Sequence, residues 1–149
     1  MKAKFCYYAA MDDQAAGQST ARADAQVRGA GRGQILVDGI DPFVDLAWVE
    51  FVLTGRSSRF VKFDPRHGRV VAIVRNGEMV SVSITDSLRD ALASVDREFL
   101  DDVASNWRLS GSVSPSPDVS RLADFLKCLA ALAEQAIADG YRLYCWKCA

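Results

Sequence analysis

The sequence predicts an α+β fold: a mainly antiparallel sheet with helices packed on it, in one domain. Three observations lead there. Short runs with strand alternation occur near both ends of the chain and in its middle. Two of them are joined by Asn76-Gly77, a tight-hairpin dipeptide because both residues tolerate positive φ. Longer segments carry apolar residues at steps of three and four, the stripe of a helix that buries one face. The expected order is β-β-α-β-β-β-α-α-β, and helices flanking such a sheet bury all the stripes in one core.

The first strand is read over residues 2 to 8, with Phe5 and Tyr7 on one face and Lys4, Cys6 and Tyr8 on the other. Residues 9 to 33 hold only Met11 and Val27 as larger aliphatic side chains and are expected to form a mobile loop. Its RGAGRG run, residues 28 to 33, resembles a phosphate cradle. Such a cradle needs a strand before it and a helix after it, and here a strand, QILVD, follows.

Asp41, Pro42 and Gly55 mark the start and end of a helix over 41–55, against a rival strand reading drawn from its Val, Phe and Trp. Strands are then expected at 58–64, 69–75 and 78–85. In the last, Ser81 and Ser83 lie with Met79 on what should be the wetter face. From 85 to 107 a stripe of Leu88, Leu92, Val95, Phe99, Val103 and Trp107 predicts one helix, capped by Thr85 or Asp86. After a polar linker, Ser116 and Pro117 open a final helix whose stripe runs from Val119 to Ile137 and which Gly140 ends. The closing strand, YRLYCW, has no hairpin neighbour and should insert beside an earlier strand, the first being the natural candidate.

Composition narrows the function classes. The chain has 149 residues, 50% hydrophobic and 25% charged, with a formal net charge of −1. That balance lacks the basic excess a general nucleic-acid binder uses to neutralise phosphates. No stretch approaches the roughly 20 apolar residues of a membrane span. The opening residues carry no apolar run of leader type, so a cytoplasmic protein with reduced thiols at Cys6, Cys128, Cys145 and Cys148 is expected.

Cys145 and Cys148 form a Cys-x-x-Cys pair, but redox pairs open a helix, and too little chain follows Cys148 here for one to start. In a strand the two side chains point to opposite faces and cannot bridge. A structural zinc needs four ligands, commonly as two close pairs, and Cys6, Cys128 and His67 supply no second pair. Neither a metal nor another cofactor is expected. His67, the single histidine, lies in a turn with Asp64 and Arg66 and could act as a general base. No nucleophile elbow accompanies it.

Charge is segregated. Residues 76–107 carry Glu78, Asp86, Asp90, Asp96, Glu98, Asp101 and Asp102 against Arg89 and Arg97, while 28–75 is rich in arginine. Complementary charge speeds encounter and rejects wrong partners. An acidic helix face with Asp90, Glu98, Asp101 and Asp102 suits a basic protein such as a nuclease, and the arginines suit an acidic one. Tyr144 and Trp146, on one strand beside Arg142, could add a recognition patch or could be core.

The expected function is therefore non-catalytic binding of a protein partner, with no nucleic acid and no membrane. The specific form is an immunity protein that occludes the active site of a cognate toxin, for example a basic toxin domain. Two other readings are a small enzyme built around His67 or the Cys145/Cys148 thiols, and a homo-oligomeric adaptor that pairs through a sheet edge.

Overall fold

A computed structural model of the protein describes residues 4–18, 34–111 and 118–148. Its strands are β1 (Lys4–Ala10), β2 (Ile35–Asp38), β3 (Val70–Val74), β4 (Met79–Ser83) and β5 (Arg142–Cys148). Its helices are α1 (13–18), α2 (Leu46–Thr54), α3 (Ser58–Phe63), α4 (Asp86–Ser94), α5 (Phe99–Ser110) and α6 (Val119–Asp139). The fold is α+β. The strands form one sheet in the order β2-β1-β5-β4-β3, with every neighbouring pair antiparallel.

β5 inserts beside β1 as expected, with Tyr7 opposite Cys145, and its other edge takes β4, with Val82 opposite Cys145. The β3–β4 hairpin turns at Asn76-Gly77, where φ is 54° and 95°. α6 ends at Gly140, left-handed at φ 72°, whose N–H caps Ala136 and Ile137. The expected start of α6 at Ser116 and Pro117 lies outside the described residues. Asp118 is the cap, its carboxylate accepting from Arg121 N at 2.9 Å.

Several expectations need correction. Residues 58–63 are a helix, not a strand. Ser57 caps it through Phe60 N, and Asp64 N closes it on Val61 O, so local capping outweighs the β-propensity of the phenylalanines. The helix expected over 85–107 is two. Val95 is extended at φ −76° and ψ 146°, and Asp96 Oδ1 then accepts from Glu98 N, which turns the chain before α5 starts. After this break Leu100, not Phe99, faces the core. Likewise Ala136 takes the buried place expected of Ile137. The helix expected over 41–55 forms only from Leu46. Asp41 Oδ1 instead caps a turn through Phe43 N and Val44 N. Within the segment read as a mobile loop, 13–18 is helical, held by Ala15 N on Asp12 Oδ1 at 2.8 Å. The glycine-rich run at 28–33 lies outside the described residues.

Both faces of the sheet carry a buried apolar layer. One face, with Phe5, Tyr7, Leu143 and Cys145, packs with Leu46, Leu88, Leu100, Trp107, Leu122 and Leu126 from the helices in the main core. Each such leucine contributes roughly 1.5–3 kcal/mol of burial. The other face, expected to be wet, is a second apolar layer: Cys6, Tyr8, Met79, Tyr144 and Trp146 pack with Ala16 of α1. Its polar members Ser81 and Ser83 are fully buried and hydrogen-bonded, to Tyr8 Oη and to Arg66 O.

On the main-core face α6 packs on β1, β2 and β5, and α4 packs on β5. No described helix packs on β3 or β4 there. Val70 and Ile73 are exposed, and Val80 and Val82 are half-buried.

Candidate functional site

The turn that carries Asp64, Arg66 and His67 is built by hydrogen bonds to its own backbone and to its neighbours. Asp64 Oδ1 accepts from Arg66 N at 2.9 Å, and Asp64 Oδ2 accepts from Arg56 Nη2 at 3.2 Å. His67 is buried. Its Nε2 donates to the Phe43 carbonyl at 2.8 Å, because a carbonyl can only accept. Burial holds the imidazole below its usual pKa despite that hydrogen bond. The next residue, Gly68, sits at φ +66°, and a Cβ there would fall 2.5 Å from the Phe43 ring. The turn and the 41–45 segment are thus a fitted pair.

The described thiols are free and, except for Cys128, buried. Burial pushes Cys6 up to about 11 and pushes Cys145 well above the ordinary thiol value. Cys6 lies opposite Trp146 and Cys145 opposite Tyr7, so the two thiols occupy opposite faces of the sheet. β5 runs through Cys148, as the strand reading of the Cys-x-x-Cys pair requires. Among the described residues no three His, Cys, Asp or Glu side chains converge as a metal site requires.

Two polar clusters that spacing does not reveal are assembled by the fold. In the first, Asp13 Oδ1 accepts from Tyr144 Oη at 2.7 Å and pairs with Arg66 Nη2 at 3.2 Å, and the guanidinium lies 5.7 Å from the Tyr144 ring centre. Partial burial works against the Asp13 charge, but these donors hold its carboxyl below the usual range. In the second, the buried Glu50 pairs with Arg56 Nη1 at 2.9 Å and accepts from Thr85 Oγ1, while Arg56 also reaches Ser87 and Asp64. Burial raises the Glu50 pKa, against the lowering from Thr85 and Arg56. Both clusters tie together elements far apart in sequence.

The proposed recognition residues divide. Asp90, Glu98, Asp101 and Asp102 are all exposed on or beside α4 and α5. Part of their chemistry is local. Asp90 pairs with Arg89 and Asp101 with Lys127, both at 2.9 Å, and Asp101 and Asp102 sit in the first turn of α5, where the helix dipole favours acids. Tyr144 and Trp146 are core, 0% and 4% exposed, so they form no surface patch. The reason is β5's central place in the sheet, with α1 folded over that face.

Exposed apolar side chains that the sequence did not reveal fall between positions 43 and 73. Phe43, Val44, Phe51, Phe60, Phe63, Val70 and Ile73 are all exposed there, Phe60 at 70% and Phe63 at 73%. Read as a strand, 58–64 hid this. Read as a helix capped by Ser57, it places Phe60 and Phe63 one turn apart on a common side, and that spacing was the available signal. A cavity of about 160 Å³ opens between the 41–45 segment and the sheet, lined by Phe5, Pro42, Phe43, Val80, Val82 and Cys145. Asp41 and Lys147 add opposite charges to it, 3.9 Å apart.

Comparison with protein-family models, with curated proteins and with solved structures finds no match to this chain. No described helix is long and apolar enough to cross a membrane.

Proposed function

We propose that the protein acts by binding another protein and not by turning over a substrate. The observation that carries this reading is the pair Phe60 and Phe63 on α3, both nearly three-quarters exposed. Aromatic side chains and arginines together make the composition of an interface core. Large apolar side chains exposed next to one another, as Phe60 and Phe63 are one turn apart on α3, mark a contact site. The groups with catalytic chemistry supply support of another kind. His67, Asp64 and Arg66 are engaged in holding their turn, and burial raises the pKa of Cys6 and Cys145.

The narrower form of the proposal is an immunity protein that neutralises a toxin by covering its active site. Its support is the exposed acidic run Asp90, Glu98, Asp101 and Asp102, which would meet a basic toxin domain.

The test of the binding reading is affinity capture with cross-linking in the native cell, followed by reconstitution from purified components. A stoichiometric protein partner is expected, and the absence of one would remove the proposal. For the narrower form, a gene product encoded alongside should be toxic when expressed alone and harmless when co-expressed with this protein. Charge reversal at Glu98 and Asp102 should weaken that protection.

A further inference from the structure

We infer that α3 is a docking element and that its partner is an acidic protein segment carrying an apolar anchor. The inference rests on the binding reading above and names the partner's chemistry. α3 is only six residues long and buries Val61 alone. A helix this short gains little from its own backbone bonds. It is held by its caps and by packing on α2. That mounting turns the rest of the helix outward: Arg59, Phe60, Lys62 and Phe63 are all exposed. The Arg59 guanidinium lies 6.0 Å from the Phe63 ring centre, so cation and ring present one composite face.

The charge on this face has one sign. Asp64, the adjoining acid, already accepts from Arg56 and from the backbone of Arg66. Arg59 and Lys62 therefore call for acids from outside, beside an apolar group to cover the phenylalanines. The same molecule carries Asp90, Glu98, Asp101 and Asp102 exposed on α4 and α5. With those acids the chain carries a formal net charge of −1, which gives a broad polyanion such as a membrane surface or nucleic acid no net attraction. A narrow acidic segment needs only the local cations of α3, Arg59 and Lys62.

The experiment uses the full chain and four probes: two synthetic peptides with the same leucine and tryptophan pattern, one flanked by Glu and one by Lys, phosphatidylserine vesicles, and an oligothymidylate. The Glu peptide should bind, shift the amide signals of residues 58–63, and weaken as salt rises. Phe60→Ala with Phe63→Ala should keep the native spectrum, since both rings are exposed, and lose about tenfold or more in affinity. Arg59→Glu with Lys62→Glu should reverse the preference toward the Lys peptide. Equal binding of both peptides, shifts confined to α4 and α5, unchanged affinity in the alanine variant, binding to vesicles or oligonucleotide alone, or no binding at all would each overturn it. A native partner captured equally well by wild type and the alanine variant would overturn this placement and leave the binding reading standing.

Discussion

Tyr144 and Asp13, 131 residues apart, share a hydrogen bond of 2.7 Å in which the phenol donates to the carboxylate. It joins the central strand β5 to α1, the helix that closes the second face of the sheet. Replacing Tyr144 with Phe should cost about 1–2 kcal/mol in urea unfolding, the usual cost of removing one partner of a half-buried bond. Stacking on Tyr8, at 5.8 Å between ring centres, should survive. Asp13 has a depressed pKa in the folded state, so its contribution is present above the ordinary carboxyl value of 3.8 and is lost as pH falls through the folded value. The deficit of Tyr144→Phe should therefore shrink in acid. The Asp13 carboxyl signal should titrate at higher pH in the variant.

Asp45 behaves in the opposite sense. Burial, with the charge of Asp41 adding to it, raises its pKa from 3.8 to about 6, even though its Oδ2 accepts from Asp41 N. Between those values the folded state binds more protons than the unfolded one, so this group lowers stability as pH rises from about 4 to 6. Asp45→Asn keeps an acceptor for Asp41 N and removes the charge. The variant should match wild type near pH 4 and exceed it above pH 6 by up to about 3 kcal/mol, measured as the difference in unfolding free energy across the two pH values.

Glu50 of α2 and its partner Arg56 reach the start of α4 through Thr85 and Ser87, and Glu50 is 1% exposed. Arg56→Met leaves a buried carboxylate without its cation and should cost about 3–5 kcal/mol. Adding Glu50→Leu to that variant should recover much of the loss, because the unpaired charge is then gone. A double-mutant cycle in denaturant reads both numbers. Simple additivity of the two substitutions would show that the pair is not coupled.

Thiol chemistry gives an independent check on burial. Cys128 is exposed on α6, whereas Cys6 and Cys145 are buried and shifted toward the protonated form. Mass-mapped alkylation under native conditions should label Cys128 quickly. Cys6 and Cys145 should react only at the rate of opening of the sheet. Rapid labelling of Cys145 in the folded protein would contradict the packing of β5.

Features written in local chemistry were legible in the sequence. Asn76-Gly77 requires positive φ at both positions, Thr85 caps α4 through Leu88 N, and Gly140 takes the left-handed cap of α6. The place of β5 beside β1 followed from the lack of a hairpin partner. What failed depended on contacts between distant residues. The Met79 face reads as wet because serines alternate along β4. Tyr8 reaches Ser81 from 73 residues away, and α1 then covers both. Tyr144 and Trp146 looked available because they stand near the end of the sequence, yet topology sets them at the middle of the sheet. The acids at 90, 98, 101 and 102 were correctly placed on a surface, since a charged residue on the outer side of a striped helix has nowhere else to go. The aromatic surface of α3 was missed because Phe-Val-Lys-Phe satisfies strand alternation and helical spacing equally, and only the cap at Ser57 separates them.

The position of β5 also constrains how the protein is made. The β3–β4 hairpin and β1 both finish emerging from the ribosome long before the strand that must join them. Until residue 148 clears the exit tunnel, the two halves of the sheet each present an open edge where β5 belongs. A nascent chain in that condition invites wrong pairing with other chains. Stalled or prematurely terminated products of this gene should therefore be strong clients of ribosome-associated chaperones, while the finished polypeptide, its seam closed, should not.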